Sequence, residues 1–272
     1  MTEVTPMTTR PINIRVIDFE TSDLPAKNGK IIEIGWTDID IIFTEEDEEG
    51  KGQPPYVQFR STGSSSQRFG LPPYERISPH AKAVNGIWEN ELPYNVLTTS
   101  ELFSFLQCEA STTRQFDYLV AHNSSFEEEM FSLYGIGKPD GIYPIPPFIC
   151  TMKAAKRLFP EAGGYSLQYL RHVLALENNF RDPRCDPPHA AGPDTWLTAK
   201  LFIHMHDGLG MSTPILHSCT TSLQHHPVCP IGKYKGQAWN SVETSYLQWI
   251  INTSKMDESV KNAARLELNC RN

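Results

Sequence analysis

The chain has 272 residues, of which 39% are hydrophobic and 21% charged, and a formal net charge of −8. That is room for one ordinary domain with a buried core plus a small second one, and it excludes a wholly disordered chain. The sequence shows no run of about 18 apolar residues, and its opening MTEVTPMTTRPIN lacks a basic start followed by an apolar stretch, so no membrane span or signal peptide is expected and the cytoplasm is the expected compartment.

Residues 1–11 read as a loose tail. Residues 12–19, INIRVIDF, alternate and are rich in β-branched side chains, as a strand requires. Residues 30–43 read as a second strand, and 55–61 as a third. The acidic run Glu45-Glu46-Asp47-Glu48-Glu49 between them reads as a solvated hairpin loop, and it holds much of the negative charge. Residues 62–73 read as loop. A short helix is expected over 79–84 with Ser78 as cap, and another over 100–109 with Ser100 as cap. The run 116–121 reads as a buried strand, 125–134 as a helix, and 147–150 as a further short strand. Helices are expected at 151–158, 166–175 and 194–206. This order fits an α/β domain with a mixed sheet. The Gly-, Ser-, Thr-, Pro- and His-rich stretch 208–230 reads as a linker. Helical spacing returns at Tyr246, Leu247, Trp249 and Ile250, and again at Val260, Ala263, Ala264 and Leu266.

Three local patterns carry chemistry. In Asp18-Phe19-Glu20-Thr21, residues i and i+2 of a strand point to one face, so two carboxylates converge at the end of an apolar strand. They repel unless a cation lies between them, and hard oxygen donors suit Mg²⁺ or Mn²⁺. In Ala121-His122-Asn123-Ser124-Ser125-Phe126-Glu127, a strand-to-helix turn offers Glu127 as a further carboxylate. In His189-Ala190-Ala191-Gly192-Pro193-Asp194, an acid starts a helix and a histidine precedes it, with an ordinary pKa near 6.5 that suits a general base. Each has a plain structural alternative. The DxE pair would be solvated, Ser124 or Ser125 would cap a helix that Glu127 favours electrostatically, and Asp194 would be an N-cap.

Together and in this order the three patterns resemble the DnaQ-like 3′→5′ exonucleases, a family with four acids and one histidine. The resemblance implies an RNase H-like fold with a five-stranded mixed sheet. It also implies two Mg²⁺ ions, replaceable by Mn²⁺, that activate water and stabilise the leaving 3′ oxygen. Asp18, Glu20 and Asp194 would be direct metal ligands, Glu127 would hold the fourth acidic place, and His189 would be the general base. Thr21 and Leu24 match contacts to the terminal nucleotide, and Asn85 within Ile77–Ile87 lies in a segment that borders the substrate's 3′ end in relatives. Asn123 and Phe126 join these as expected substrate contacts. A closer resemblance, to a branch of the family with a small C-terminal module, rests on Ile149-Cys150-Thr151-Met152-Lys153, on Lys156-Arg157-Leu158-Phe159-Pro160, and on Gly232-Lys233-Tyr234-Lys235-Gly236 followed by Tyr246–Ile250. The domain layout expected from it is 12–207 for the nuclease domain, 208–230 for the linker and 231–272 for the module.

Three positions depart from the family: Glu127 stands where relatives have Asp, Asn85 where they usually have His, and Asp23 where they usually have Gly. The expected substrate is a DNA 3′ end, single-stranded or duplex, in repair or recombination. RNA is the alternative substrate, and a catalytically impaired nucleic-acid-binding protein the alternative class. Trp36, Trp88 and Trp196 read as core more than as base-stacking platforms. Lys153, Lys156, Arg157 and Arg171 read as either phosphate contacts or a solvated helix face. The spacing of His217, Cys219, His225, His226 and Cys229 fits no standard zinc module, and the six cysteines, with no CxxC pair, are expected to be reduced.

Overall fold

The computed structural model describes residues 10–43, 57–107, 115–137, 143–177, 180–221 and 228–271. The acidic run 45–49 and most of the expected tail lie outside them. The chain divides into two compact units, Met1–His217 and Ser218–Asn272.

The first unit is built on five strands, β1 (Ile12–Thr21), β2 (Ile31–Phe43), β3 (Val57–Arg68), β4 (Tyr118–Ala121) and β5 (Phe148–Cys150). They lie side by side in the order β3-β2-β1-β4-β5. β1 runs antiparallel to β2 and parallel to β4, so the sheet is mixed, as expected. The helices in chain order are α1 (Pro79–Asn85), α2 (Thr99–Gln107), α3 (Ser125–Leu133), α4 (Thr151–Leu158), α5 (Leu167–Val173), α6 (Ala191–Ile203) and α7 (Thr213–Thr221).

Alternation along β1 sorts its side chains to two faces. Ile17 and Phe19 pack with Leu102 and Leu106 of α2 and with Met130 and Phe131 of α3. Asp18 and Glu20 point to the opposite face, the one that α6 crosses as it packs on β1, β2 and β3. A buried Arg15–Asp38 pair joins β1 to β2, with Nε and Nη2 donating to the two carboxylate oxygens at 2.7 Å. The Arg15 guanidinium lies between the rings of Phe105 and Phe116.

Several expectations change. β3 continues through Ser64–Ser66 to Arg68, where the sequence suggested loop, because β2 satisfies its main chain without any hydrophobic alternation. One extra residue is absorbed near Gly63, whose φ is 83°, opposite the register shift between Thr37 and Ile39. Ser78 caps α1 as expected, accepting from Ala81 N–H at 3.1 Å. The cap of α2 is Thr98 rather than Ser100: its hydroxyl accepts from Glu101 N–H while the Glu101 carboxylate accepts from Thr98 N–H, a reciprocal capping box. α6 begins three residues before Asp194, since Pro193 falls in the first turn, where a missing N–H costs nothing. Within the expected linker, α7 forms a helix over Thr213–Thr221. Trp88 is 58% exposed beneath Lys82 and is not core. Arg171 is buried in an ion network with Glu177 and Asp186, so it is neither a phosphate contact nor part of a solvated face.

The second unit contains α8 (Thr244–Asn252) and α9 (Glu258–Arg271), which pack around Trp239, Val242, Leu247, Ile250, Val260 and Ala264. Among the described residues no helix is long and apolar enough to cross a membrane.

Candidate metal centre and active site

The site forms where β1 runs out beneath the start of α6. Asp18 pairs across the sheet with Gly35, and Glu20 with Glu33. A Cβ on Gly35 would lie 2.2 Å from the main-chain carbonyl of Ala191. Only a glycine there admits the first turn of α6, and that turn delivers Asp194 to the two β1 acids. One carboxylate oxygen from each of Asp18, Glu20 and Asp194 lies within 4.8 Å of the others.

Two hydrogen bonds fix Asp194. His189 N–H donates to Oδ2 at 2.9 Å, and Gln168 Nε2 donates to Oδ1 at 3.1 Å. His189 itself has a φ of 59°, a left-handed conformation, and an exposed side chain on the lip of the site. Gln168 Oε1 in turn accepts from Arg171, which also donates to the Cys185 carbonyl and to Asp186 on the loop that leads to His189.

Glu127 sits in the first turn of α3, 2% exposed, and stands outside the three-acid group. Its Oε2 is buried without a hydrogen-bond partner. Glu33 is a fifth carboxylate on the same face. Its Oε1 accepts from Ser66 Oγ at 2.7 Å, Arg68 lies 3.8 Å away, and its Oε2 is buried with no partner.

These acids, buried except for the half-buried Asp18, oppose one another. Burial first, then Asp194 and Glu33, pushes Asp18 up to about 8. Burial, then Asp18, Asp194 and Glu33, pushes Glu20 up to about 10, with the Asn85 amide opposing the rise. Burial, then Asp18, holds Glu127 well above the usual carboxylate range, and burial also raises Asp194. A divalent cation is the charge this donor set lacks. The donors are hard oxygens, two further buried oxygens are unbonded, and the fit is to Mg²⁺- or Mn²⁺-type ions rather than to a thiophilic metal.

A cleft of about 360 Å³ opens over the acids. All ten expected site residues line it: Asp18, Glu20, Thr21, Leu24, Asn85, Asn123, Phe126, Glu127, His189 and Asp194. Leu24 is 44% exposed and supplies an apolar wall beside Phe126. Asn85 braces that wall, donating to the Thr21 carbonyl at 3.3 Å and accepting from Ile87 N–H. Asn123 has a φ of 77° and accepts from the Ser125 hydroxyl. Ser124 does not cap α3 with its side chain, which instead donates to Glu128. Asp23 is also on the rim, held below the usual carboxylate range by the Leu24 N–H first and by Lys27.

Sequence reasoning missed Gln168 and Glu33, whereas His80 and Val84, which also line the cleft, fall in the segment Ile77–Ile87 expected beside the substrate's 3′ end. Glu33 had a visible signal, a charge inside the apolar run Ile31–Trp36, whereas Gln168 had none. His122 lines the cleft too, but burial lowers it to about 4. As a neutral ring it donates from Nε2 to the Tyr165 carbonyl and accepts at Nδ1 from the Thr151 hydroxyl, so it ties the end of β4 to α4.

A sheet of this order, with converging acids at the end of its central strand and the acid-bearing helix α6 crossing it, defines an RNase H-like nuclease. The model of the exonuclease family RNase_T matches residues 16–202, and the chain belongs to that family. Exodeoxyribonuclease 10 of Escherichia coli strain K12 is 26% identical over 244 residues, which cover 88% of this chain and 90% of that protein. The same enzyme from Escherichia coli O6:H1 matches equally. A structure of exonuclease X in complex with 5′ overhanging duplex DNA superposes with a TM-score of 0.52 at 24% identity, covering 76% of this chain and 99% of that one. That likeness confirms the fold.

Proposed function

We propose that this exonuclease removes nucleotides from the 3′ end of DNA, releasing 5′-mononucleotides, with Mg²⁺ as the physiological ion and DNA repair or recombination as the setting. The observation that carries the reading is the convergence of Asp18, Glu20 and Asp194 within 4.8 Å, with the His189 main chain bonded to Asp194. The names of the E. coli relatives favour DNA over RNA.

Asp18, Glu20 and Asp194 would hold the metal, and Glu127 and Glu33 would complete the negative field around it. Bound divalent ions supply Lewis acidity toward the scissile phosphate and a lowered pKa for the attacking water. Leu24 and Phe126 form the apolar wall against which the terminal nucleotide packs, with Asn85 beside them in the same cleft. His189, exposed on the lip, takes the proton from the attacking water as it adds in line to phosphorus, and the 3′ oxygen of the penultimate nucleotide leaves.

The test is purified protein on 5′-labelled DNA and RNA strands with Mg²⁺, Mn²⁺ or EDTA. The reading expects stepwise shortening of DNA with either metal and none with EDTA. Preferential shortening of RNA would make it a ribonuclease. Tight binding with no turnover would make it a catalytically impaired relative, and equal digestion of a blocked 3′ end would exclude the direction proposed.

A further inference from the structure

The second unit carries a surface that the nuclease chemistry does not use. Tyr234, Tyr246 and Trp249 form a continuous aromatic row. The Tyr234 and Tyr246 rings meet edge to face at 5.0 Å between centroids, and Tyr246 and Trp249 lie 5.1 Å apart with 31° between their planes. Tyr234 and Tyr246 rest on the small core of Leu247, Ile250 and Val260, while Trp249 is 51% exposed. The row is fixed in position. Gly232 has a φ of 58°, and a Cβ there would fall 2.0 Å from the Tyr246 hydroxyl, so the turn is shaped around that ring.

Cations flank the aromatics. Lys233 Nζ lies 4.8 Å from the Tyr234 centroid and 5.7 Å from that of Tyr246, and Lys235 is exposed on the same turn. The ionic partner of Lys233 is Glu243 at 3.3 Å, and both side chains are more than half exposed. A pair this solvated is held by little free energy and yields to a phosphate. Residues 218–272 contain six Lys or Arg against four Asp or Glu, within a chain whose net charge is −8. The unit is therefore electrostatically opposite to the rest of the protein.

We propose that the Tyr234–Tyr246–Trp249 row, with Lys233 and Lys235, binds single-stranded nucleic acid: an unpaired base stacks on the open face of Trp249 and the adjoining phosphates lie against the lysines. An exposed aromatic face accepts any unpaired base, because every base has a π-face, and paired bases within a duplex do not offer theirs. The choice of nucleic acid as occupant rests on the charge of the unit and on the nuclease reading given above. Being tethered to the nuclease unit, such a site raises the local concentration of strand without any new contact at the metal centre.

The experiment is fluorescence anisotropy with the full chain and a labelled oligothymidine of about fifteen nucleotides, in EDTA so that nothing is cleaved, across a salt series. The variants are Trp249→Ala, Trp249→Phe and the double variant Lys233→Gln/Lys235→Gln, each checked by thermal melting. Trp249→Ala is expected to weaken binding by about 5- to 100-fold, the range for one base–aromatic stack, and Trp249→Phe to recover most of that loss. The double lysine variant is expected to make the slope of log K against log salt shallower by about 1.4, near 0.7 for each of the two lost phosphate contacts. Unchanged affinity and slope in folded variants would overturn the proposal. So would a change in self-association by sedimentation velocity at constant affinity, which would mark the row as a protein-contact face. Because binding is read without turnover, a failure here is separate from a failure of wild-type cleavage with Mg²⁺.

Discussion

Asp18 and Gly35 face each other across the antiparallel β1–β2 ladder, and the missing side chain at Gly35 is the space into which the first turn of α6 fits. The acid and the glycine are one device: the first supplies a ligand and the second lets the helix bearing Asp194 reach it. Gly35→Ala is expected to push α6 away from the sheet at a cost of about 1–3 kcal/mol, the usual range for overpacking. Metal-dependent activity should fall by about 10²-fold or more, since a displacement of about 1 Å at a reacting centre costs that much. Thermal melting and single-turnover cleavage check it. Full activity with a lowered melting temperature would show that the helix placement is not decisive.

The clustered acids make the metal-free protein sensitive to pH in a defined direction. Asp18 rises from an ordinary 3.8 to about 8, and Glu20 from 4.5 to about 10. Between the ordinary and the raised values the folded state holds protons that the unfolded state has lost. Their contribution to stability is therefore complete below about pH 4 and is lost as pH rises toward 8 and beyond. In EDTA the melting temperature should decline from pH 5 to pH 8. At a hundredfold excess over Kd, Mg²⁺ or Mn²⁺ should add about 2.7 kcal/mol at pH 8, equivalent to roughly 5–10 °C for a chain of this size. Glu33→Gln should flatten the decline, because Glu33 raises both neighbours. A metal-free melting temperature that climbs over this range would contradict the electrostatic account.

Gln168 bonds Asp194 on the side opposite the His189 main chain. Gln168→Leu removes that donor while keeping most of the volume. Calorimetric Mn²⁺ affinity should weaken by about 10- to 100-fold, as for other groups that orient a ligand from behind. The fold should lose about 1.5–3 kcal/mol, the worth of a hydrogen bond to a charged group, since Gln168 also accepts from Arg171. Equal affinity in the variant would reduce Gln168 to a packing residue.

Glu127 is buried, charged only against opposition, and placed beyond the three-acid group. Glu127→Asp restores the family residue and should retain or raise the rate. Glu127→Gln keeps the shape and should lower it by about 10²-fold, as for one lost electrostatic group at a reacting centre. Because the charged form is disfavoured by burial, Gln should also leave the metal-free protein at least as stable at pH 8. A wild-type rate in Glu127→Gln would remove Glu127 from the chemistry.

The sequence by itself determined the strands, most helices and the identity of the acids, because period-two alternation and residue type are local properties. β1 could be read from INIRVIDF, and its two carboxylates followed from the pleat alone. It did not determine the length of β3, whose serines carry no pattern and are ordered by the main chain of β2. It also placed the start of α6 three residues late, since that start is set by packing against Gly35 rather than by a cap. The convergence of Asp18, Glu20 and Asp194 is a long-range fact. No spacing in the chain encodes a 4.8 Å group drawn from residues 18, 20 and 194. Gln168 and the orphaned oxygens of Glu33 and Glu127 were likewise decided only when β2, α3, α5 and α6 met, because burial and hydrogen bonding belong to the assembled fold and not to any one segment.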